Sequence, residues 1–269
     1  MKTNFFEMAY NCIINQDITQ KITLTREADR LWKNGQFNFD DLEPPKLILS
    51  AGRPEKPLLV SPKHLISRKL TTKEGHAALI HAIVHIEFNA INLAWDAAYR
   101  FRGLPVDFYG DWLQVAVEEA LHFEFLRGHL QSLGFDYGDF PAHNGLWELA
   151  VETADDVLSR MALVPRVMEA RGLDVTPQMM EKLKQINDLK AVEYLKIIYR
   201  DEIGHVSRGS KWFHYVCEKR GLNSKEIFLD LIRKHLKSGL KLPFNQEIRL
   251  QAGFTPEEIS ILYALANNR

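Results

Sequence analysis

Two short sequences in this chain combine a carboxylate with an imidazole at helical spacing: Glu119-Ala120-Leu121-His122 and Glu202-Ile203-Gly204-His205. Residues three apart on a helix project to one side, so each pair can grip a metal ion. Such a motif arises easily by chance and gains weight only from its surroundings. Glu87 lies 32 residues before Glu119, and Glu169 lies 33 residues before Glu202. The chain therefore reads as Glu then Glu-x-x-His, twice, at nearly equal intervals. A dimetal carboxylate site in a helical bundle needs one glutamate from each of two helices and a Glu-x-x-His from each of the other two. The first interval has its midpoint at Gly103 and the second near Asn187-Asp188, both plausible turns. At about 1.5 Å rise per residue, equal arms on either side of a turn bring the paired residues to one depth. Glu87, Glu119, His122, Glu169, Glu202 and His205 are thus the candidate ligands. Glu148, Glu152 and Asp155 are rival carboxylates for the place of Glu169.

Burial adds a second reason. Glu87 interrupts an apolar stripe between Val84 and Ile91, and Glu119 and Glu202 share faces with Val115, Leu126, Leu195 and Ile198. Isolated buried carboxylates cost several kcal/mol and need protons or cations as partners. Two dications would balance four carboxylates. A donor set rich in oxygen favours iron or manganese over structural zinc, so two iron ions, or an iron and manganese pair, are expected. Tyr199, one turn before Glu202, is a candidate for an electron relay beside the metals, weighed against a core tyrosine with a hydrogen-bond partner. His81 and His85 read as packing or outer residues, and His129 lies too far along the axis to share an ion with His122. Asp201 and Arg171 are candidates to orient ligands. Trp95, Trp112, Trp147 and Trp212 read as core. The loop FPAHNGLWE, with His143 and Trp147, either covers one end of the bundle or opens the third helix with Asn144 as its cap.

The elements that must hold these residues are helices. After the N-cap candidates Thr71 and Thr72, residues Ile80, Val84, Glu87, Ile91, Ala94 and Ala98 recur at helical steps until Gly103-Leu104-Pro105. A second helix is expected over about 111–133. A third begins near Leu146 with a kink at Pro165, an interruption at Gly172 and Pro177, and a resumption over 177–186. The fourth runs over about 189–218. Nothing resembles strand alternation, so the class is all-α, with residues 71–218 as a four-helix bundle. Residues 1–70 form an N-terminal extension with short helices near 4–15 and 25–33. It continues as a strap holding five of the chain's eleven prolines between 44 and 62. Proline density of that kind is not helical, and Leu47, Ile48, Leu49, Leu58, Leu59 and Val60 suggest that the strap is bound to the bundle. Residues 219–269 read as a helical tail, in which Thr255-Pro256 and two glutamates open a last helix.

Composition narrows the function classes. A hydrophobic content of 46% and a formal net charge of −1 describe an ordinary globular chain with no overall pull toward nucleic acid or anionic membrane. Only two cysteines occur, Cys12 and Cys217, outside any metal or disulfide spacing. The first residues lack the apolar run of a signal peptide, and no membrane span is expected. A cytoplasmic location follows as the expectation.

The segments HIEFNAINLAWDAAYRF, DWLQVAVEEALHFEFL, YGDFPAHNGLWE, LVPRVMEARGLDVTP and RDEIGHVSRGSKWF resemble a bacterial family of ferritin-like proteins catalogued as a domain of unknown function. The resemblance runs from about Arg53 to the tail and implies a ferritin-like bundle without an agreed activity. A more distant likeness, confined to the metal motifs, is to the ferritin-like di-iron tRNA hydroxylase that acts on a modified adenosine. That family's third-helix glutamate stands in a Glu-Ala-Arg context, similar to Glu169-Ala170-Arg171, which favours Glu169 over its rivals. The leading expectation is an oxygen-activating di-iron oxidase or monooxygenase. It would use a small-molecule or modified-nucleoside substrate and an electron donor, and no nucleic-acid surface is evident. The alternatives are a ferroxidase or iron store, and a non-enzymatic metal-binding protein.

Overall fold

A computed structural model describes residues 2–40, 43–236 and 239–267. The chain is all-α; among the described residues β structure is limited to an isolated bridge and a two-residue parallel pairing, Thr3–Asn4 (β1) with Phe37–Asn38 (β2), too short to leave an alternating signature. It divides into two compact units, Met1–Glu152 and Thr153–Arg269.

The first unit is built on a long hairpin, α3 (Lys73–Arg100) and α4 (Val106–Ser132). Thr72 caps α3, its Oγ1 accepting from Gly75 N at 3.0 Å. The chain then reverses through Gly103, whose φ of +70° suits a residue without a Cβ. Against this hairpin lie α1 (Phe5–Ile14) on α3 and α2 (Ile18–Lys33) on α4, capped by Asn4 and Asp17. α2 starts seven residues earlier than periodicity alone indicates, because Asp17 supplies the cap: its Oδ1 accepts from Gln20 N at 2.8 Å. Between α1, α2 and α3 sits the fully buried ammonium group of Lys21. It donates to Cys12 O (2.5 Å), Ile13 O (3.1 Å) and Asn92 Oδ1 (2.6 Å), so it also closes the C-terminal turn of α1.

The proline-rich strap is fastened mainly by backbone groups. Gly52 N donates to Ile13 O, Lys46 N to the Tyr99 hydroxyl, and Trp147 Nε1 to Leu49 O. Leu58 O and Val60 N bond residue Ala142 on both sides. Its apolar side chains are not all buried as the sequence suggests: Ile48 is, whereas Leu47, Leu49 and Leu58 are exposed. An extended chain turns successive side chains to opposite sides, so with Ile48 facing inward Leu47 and Leu49 face outward. The short helix α5 (Gly145–Glu152) ends this unit. Among the described residues, α3 is the one helix long and apolar enough to cross a membrane, and 78% of its apolar window is buried inside the protein. That is how a core helix behaves.

The second unit contains α6 (Val157–Leu163), a π-helical segment (Val164–Glu169), α7 (Ala170–Gln185), α8 (Leu189–Lys219) and three shorter helices. The latter are α9 (Ser224–His235), α10 (Gln246–Gln251) and α11 (Pro256–Asn267). The expected third helix is thus not one kinked rod. It breaks at residues 153–156, where Asp156 caps α6 by accepting from Leu158 N and Ser159 N. The expected interruption at Gly172 and Pro177 is absent, and α7 runs through both. Pro177 has no N–H for the carbonyl of Leu173, one turn earlier, and the Tyr199 hydroxyl donates to that carbonyl instead, at 3.3 Å. At Pro165 the helix widens rather than kinks, with Ala170 N bonded five residues back to Pro165 O. Asn187, at φ 60°, turns the chain into α8, whose N-cap Asp188 accepts from Ala191 N. The last helix opens with a reciprocal capping box: Glu258 N donates to Thr255 Oγ1 and Thr255 N to Glu258 Oε2.

Candidate metal centre

In the first unit, α3 and α4 bring Glu87, Glu119 and His122 together in the core. All three are buried, and one ligand atom from each lies within 4.8 Å of the others. His122 Nδ1 stands 3.3 Å from Glu119 Oε2 and 3.4 Å from Glu87 Oε2. The apolar neighbours Val84, Phe88, Ile91, Val115 and Phe123 are buried as well, so the polar atoms are shut off from water. Burial, reinforced by the Glu119 charge and partly offset by His122, pushes the Glu87 carboxyl well above the usual carboxylate range. Two carboxylates face a single imidazole, and Glu87 Oε2 makes no hydrogen bond of normal geometry. A divalent cation among these atoms would satisfy the orphaned oxygen and cancel the repulsion. The donor set of two carboxylates and one imidazole fits iron or manganese.

In the second unit, α8 packs against the π segment and α7. Two contacts fix the antiparallel register. A Cβ on Gly209 would come within 2.4 Å of the Pro165 ring, so glycine permits the close approach there. One end further on, Tyr199 meets Leu173. Along the two segments, Glu169 lies between Pro165 and Leu173, and Glu202 and His205 lie between Tyr199 and Gly209. His205 Nδ1 is 3.7 Å from Glu202 Oε1. Glu169 Oε2, Glu202 Oε2 and His205 Nδ1 are all sealed from solvent. The rivals of Glu169 stand elsewhere: Glu148, Glu152 and Asp155 are exposed, and the break at residues 153–156 removes them from the phase of the later helix.

The other sequence candidates have defined places. The Tyr199 hydroxyl donates to Leu173 O and accepts from Asn245 Nδ2 at 3.1 Å, so it is a half-buried tyrosine with partners on two sides. Arg171 donates to the carbonyls of Lys241, Leu242 and Pro243, and Asp201 pairs with Arg200. His81 accepts from Gly138 N, and His85 bonds the Tyr137 hydroxyl and His143 O, so both fasten the loop before α5. Burial pushes both imidazoles down to about 4, which keeps them neutral near pH 7. His129 faces His76, ring centres 6.4 Å apart. The four tryptophans are buried as expected.

Sequence reasoning missed a buried ionic cluster behind the π segment. Arg166 is fully buried, with its guanidinium between the rings of Phe213, Phe228 and Phe254 and its Nη2 2.7 Å from Glu258 Oε2. Arg249, also buried, binds the Asp174 carboxylate through Nε (2.9 Å) and Nη2 (2.7 Å). Only the capping box at Thr255 and Glu258 was visible in the sequence; the arginines carried no local signal.

The comparisons with known proteins give a family and no activity. Residues 14–260 match the family described as "Protein of unknown function (DUF455)". A protein of Haemophilus influenzae described as "Uncharacterized protein" is 50% identical over 233 residues, spanning 84% of this chain and 80% of that relative. No solved structure matches the chain. With a family match over most of its length and 50% identity to that relative over 84% of the chain, the chain belongs to the DUF455 family.

Proposed function

We propose that this chain is a dimetal carboxylate protein, with Glu87, Glu119 and His122 of the first unit and Glu169, Glu202 and His205 of the second as ligands of two iron ions, or of an iron and manganese pair. The buried Glu87–Glu119–His122 cluster carries this reading. A protein core does not hold two facing carboxylates at this burial without protons or cations to balance them. The second triad repeats the same donor types at the same sequence interval.

Iron held by such a donor set supplies dioxygen activation, and we read the protein as an oxidase or monooxygenase. The substrate is a small molecule or modified nucleoside, and an electron donor is required. His122 and His205 complete the donor sets, and the apolar residues around Glu87 and Glu119 exclude water. The length of the strap and tail favours an enzyme over an iron store, since a bare bundle suffices to handle iron. Buried, unpaired Cys12 and Cys217 suit a reducing, cytoplasmic setting.

The test is anaerobic loading of the metal-free protein with Fe2+, followed by oxygen. Oxygen consumption with a new near-ultraviolet charge-transfer band is expected. Iron uptake without oxygen consumption would leave a metal-binding protein, and a very large oligomer that accumulates many irons per chain would point to storage. Failure to take up iron or manganese would contradict the whole reading.

A further inference from the structure

The π segment is a rare form of helical backbone, and side chains of the C-terminal tail bond to it. Wide helical turns have poorer hydrogen bonds than α-turns and persist where their surroundings over-determine them. Here the surroundings are two buried arginines. Arg249, on α10, donates through Nη2 to Ala170 O (3.3 Å) and through Nη1 to Arg166 O (3.5 Å), while holding the Asp174 carboxylate. Residues 166, 170 and 174 are three successive steps along one face, so a single guanidinium spans the exit from the π segment into α7. Arg166 itself is tied to Ser210 of α8 through Nε (3.2 Å) and to Glu258 of α11. Glu169 is the last residue of the π segment and lies inside the stretch that Arg249 bridges.

We propose that Arg249 is a positioning residue. By bridging the carbonyls of Arg166 and Ala170 to Asp174 it fixes the width of the π segment, and so sets where the Glu169 carboxylate is offered to a metal ion. The role rests on the reading of Glu169 as a ligand. Pro165 keeps the segment from regular helix, and the tail then serves to hold the donor atom it carries in one place. Arginine is required, because one lysine ammonium cannot hold a carboxylate with two bonds and span two carbonyls at once.

The experiment is a titration of the metal-free full chain with Co2+, followed by the visible absorption of the bound ion, alongside thermal melting. The wild-type chain is expected to bind in two steps, and Glu169→Gln to weaken one of them. Arg249→Gln should weaken that same step by about 10–100-fold, the range typical of groups that orient metal ligands. Combining Arg249→Gln with Glu169→Gln should add nothing further to the loss. Should Arg249→Gln fail to fold, Arg249→Lys keeps a charge opposite Asp174; it should melt close to the wild type and still show the weakened step. Two wild-type steps with either folded Arg249 variant binding as the wild type does would overturn the positioning role and leave the metal site standing. No Co2+ binding by the wild type would overturn the site and this role together.

Discussion

Glu258 shows how a buried charge is made tolerable in this protein. Burial alone would raise its carboxyl, but the His214 ring, the Arg166 guanidinium and the Thr255 N–H hold it down to about 2. A carboxylate whose folded value lies below its unfolded value stabilises the fold above about pH 4.5 and loses that contribution as the pH falls toward 2. Glu258→Gln should therefore flatten acid unfolding in that window. It should also cost about 3–5 kcal/mol at pH 7, because Arg166 is left with an uncompensated buried charge; urea melts across the pH range would measure both. Tyr199 makes a contrasting case. Tyr199→Phe removes the donor to the Leu173 carbonyl and should cost about 1 kcal/mol while leaving metal binding unchanged. Loss of an oxidase activity with unaltered stability would instead give the tyrosine a redox role. The residues of the first triad were legible in the sequence because a charge on an apolar stripe, in phase with a Glu-x-x-His, is a visible contradiction of the pattern. Lys21, Arg166 and Arg249 were not. A lone basic residue gives no sign of burial until distant elements close over it, as Asn92 closes over Lys21.

Among the elements, caps and turns translated well from sequence to structure. Thr72, Gly103, Asn187-Asp188 and the Thr255 capping box all stand where their residue types place them. The third helix did not translate: it breaks where Asp156 caps α6, and beyond that break the cause is proline. Phase counting assumes 3.6 residues per turn, whereas Pro165 is followed by a wide turn that adds a residue, and Pro177 is absorbed by a hydroxyl from another helix. Pro165→Ala restores an N–H that can bond one turn back and should let α6 and α7 join as regular helix. The expected outcome is a melting temperature at or above that of the wild type, with weaker metal binding through Glu169. Unchanged affinity for both ions in a metal titration would show that the π segment does not set the ligand geometry.

For the whole molecule, the all-α class was legible because helical periodicity runs through most of the chain, and the family match covers residues 14–260. The division into two compact units was not, since nothing in composition changes at Glu152. Metal bound only by the folded state must stabilise it, by about 2.7 kcal/mol at a hundredfold excess over the dissociation constant. Removing metal with a chelator should therefore lower the melting temperature of the wild type, and lower that of Glu87→Gln/Glu119→Gln by less.

The most direct measurement is the metal content of protein produced with ample iron, for the wild type and for Glu119→Ala. About two iron ions per chain are expected for the wild type, from the two-ion donor set, and little or none for the variant. Zinc alone, no metal in the wild type, or undiminished iron in Glu119→Ala would contradict the account.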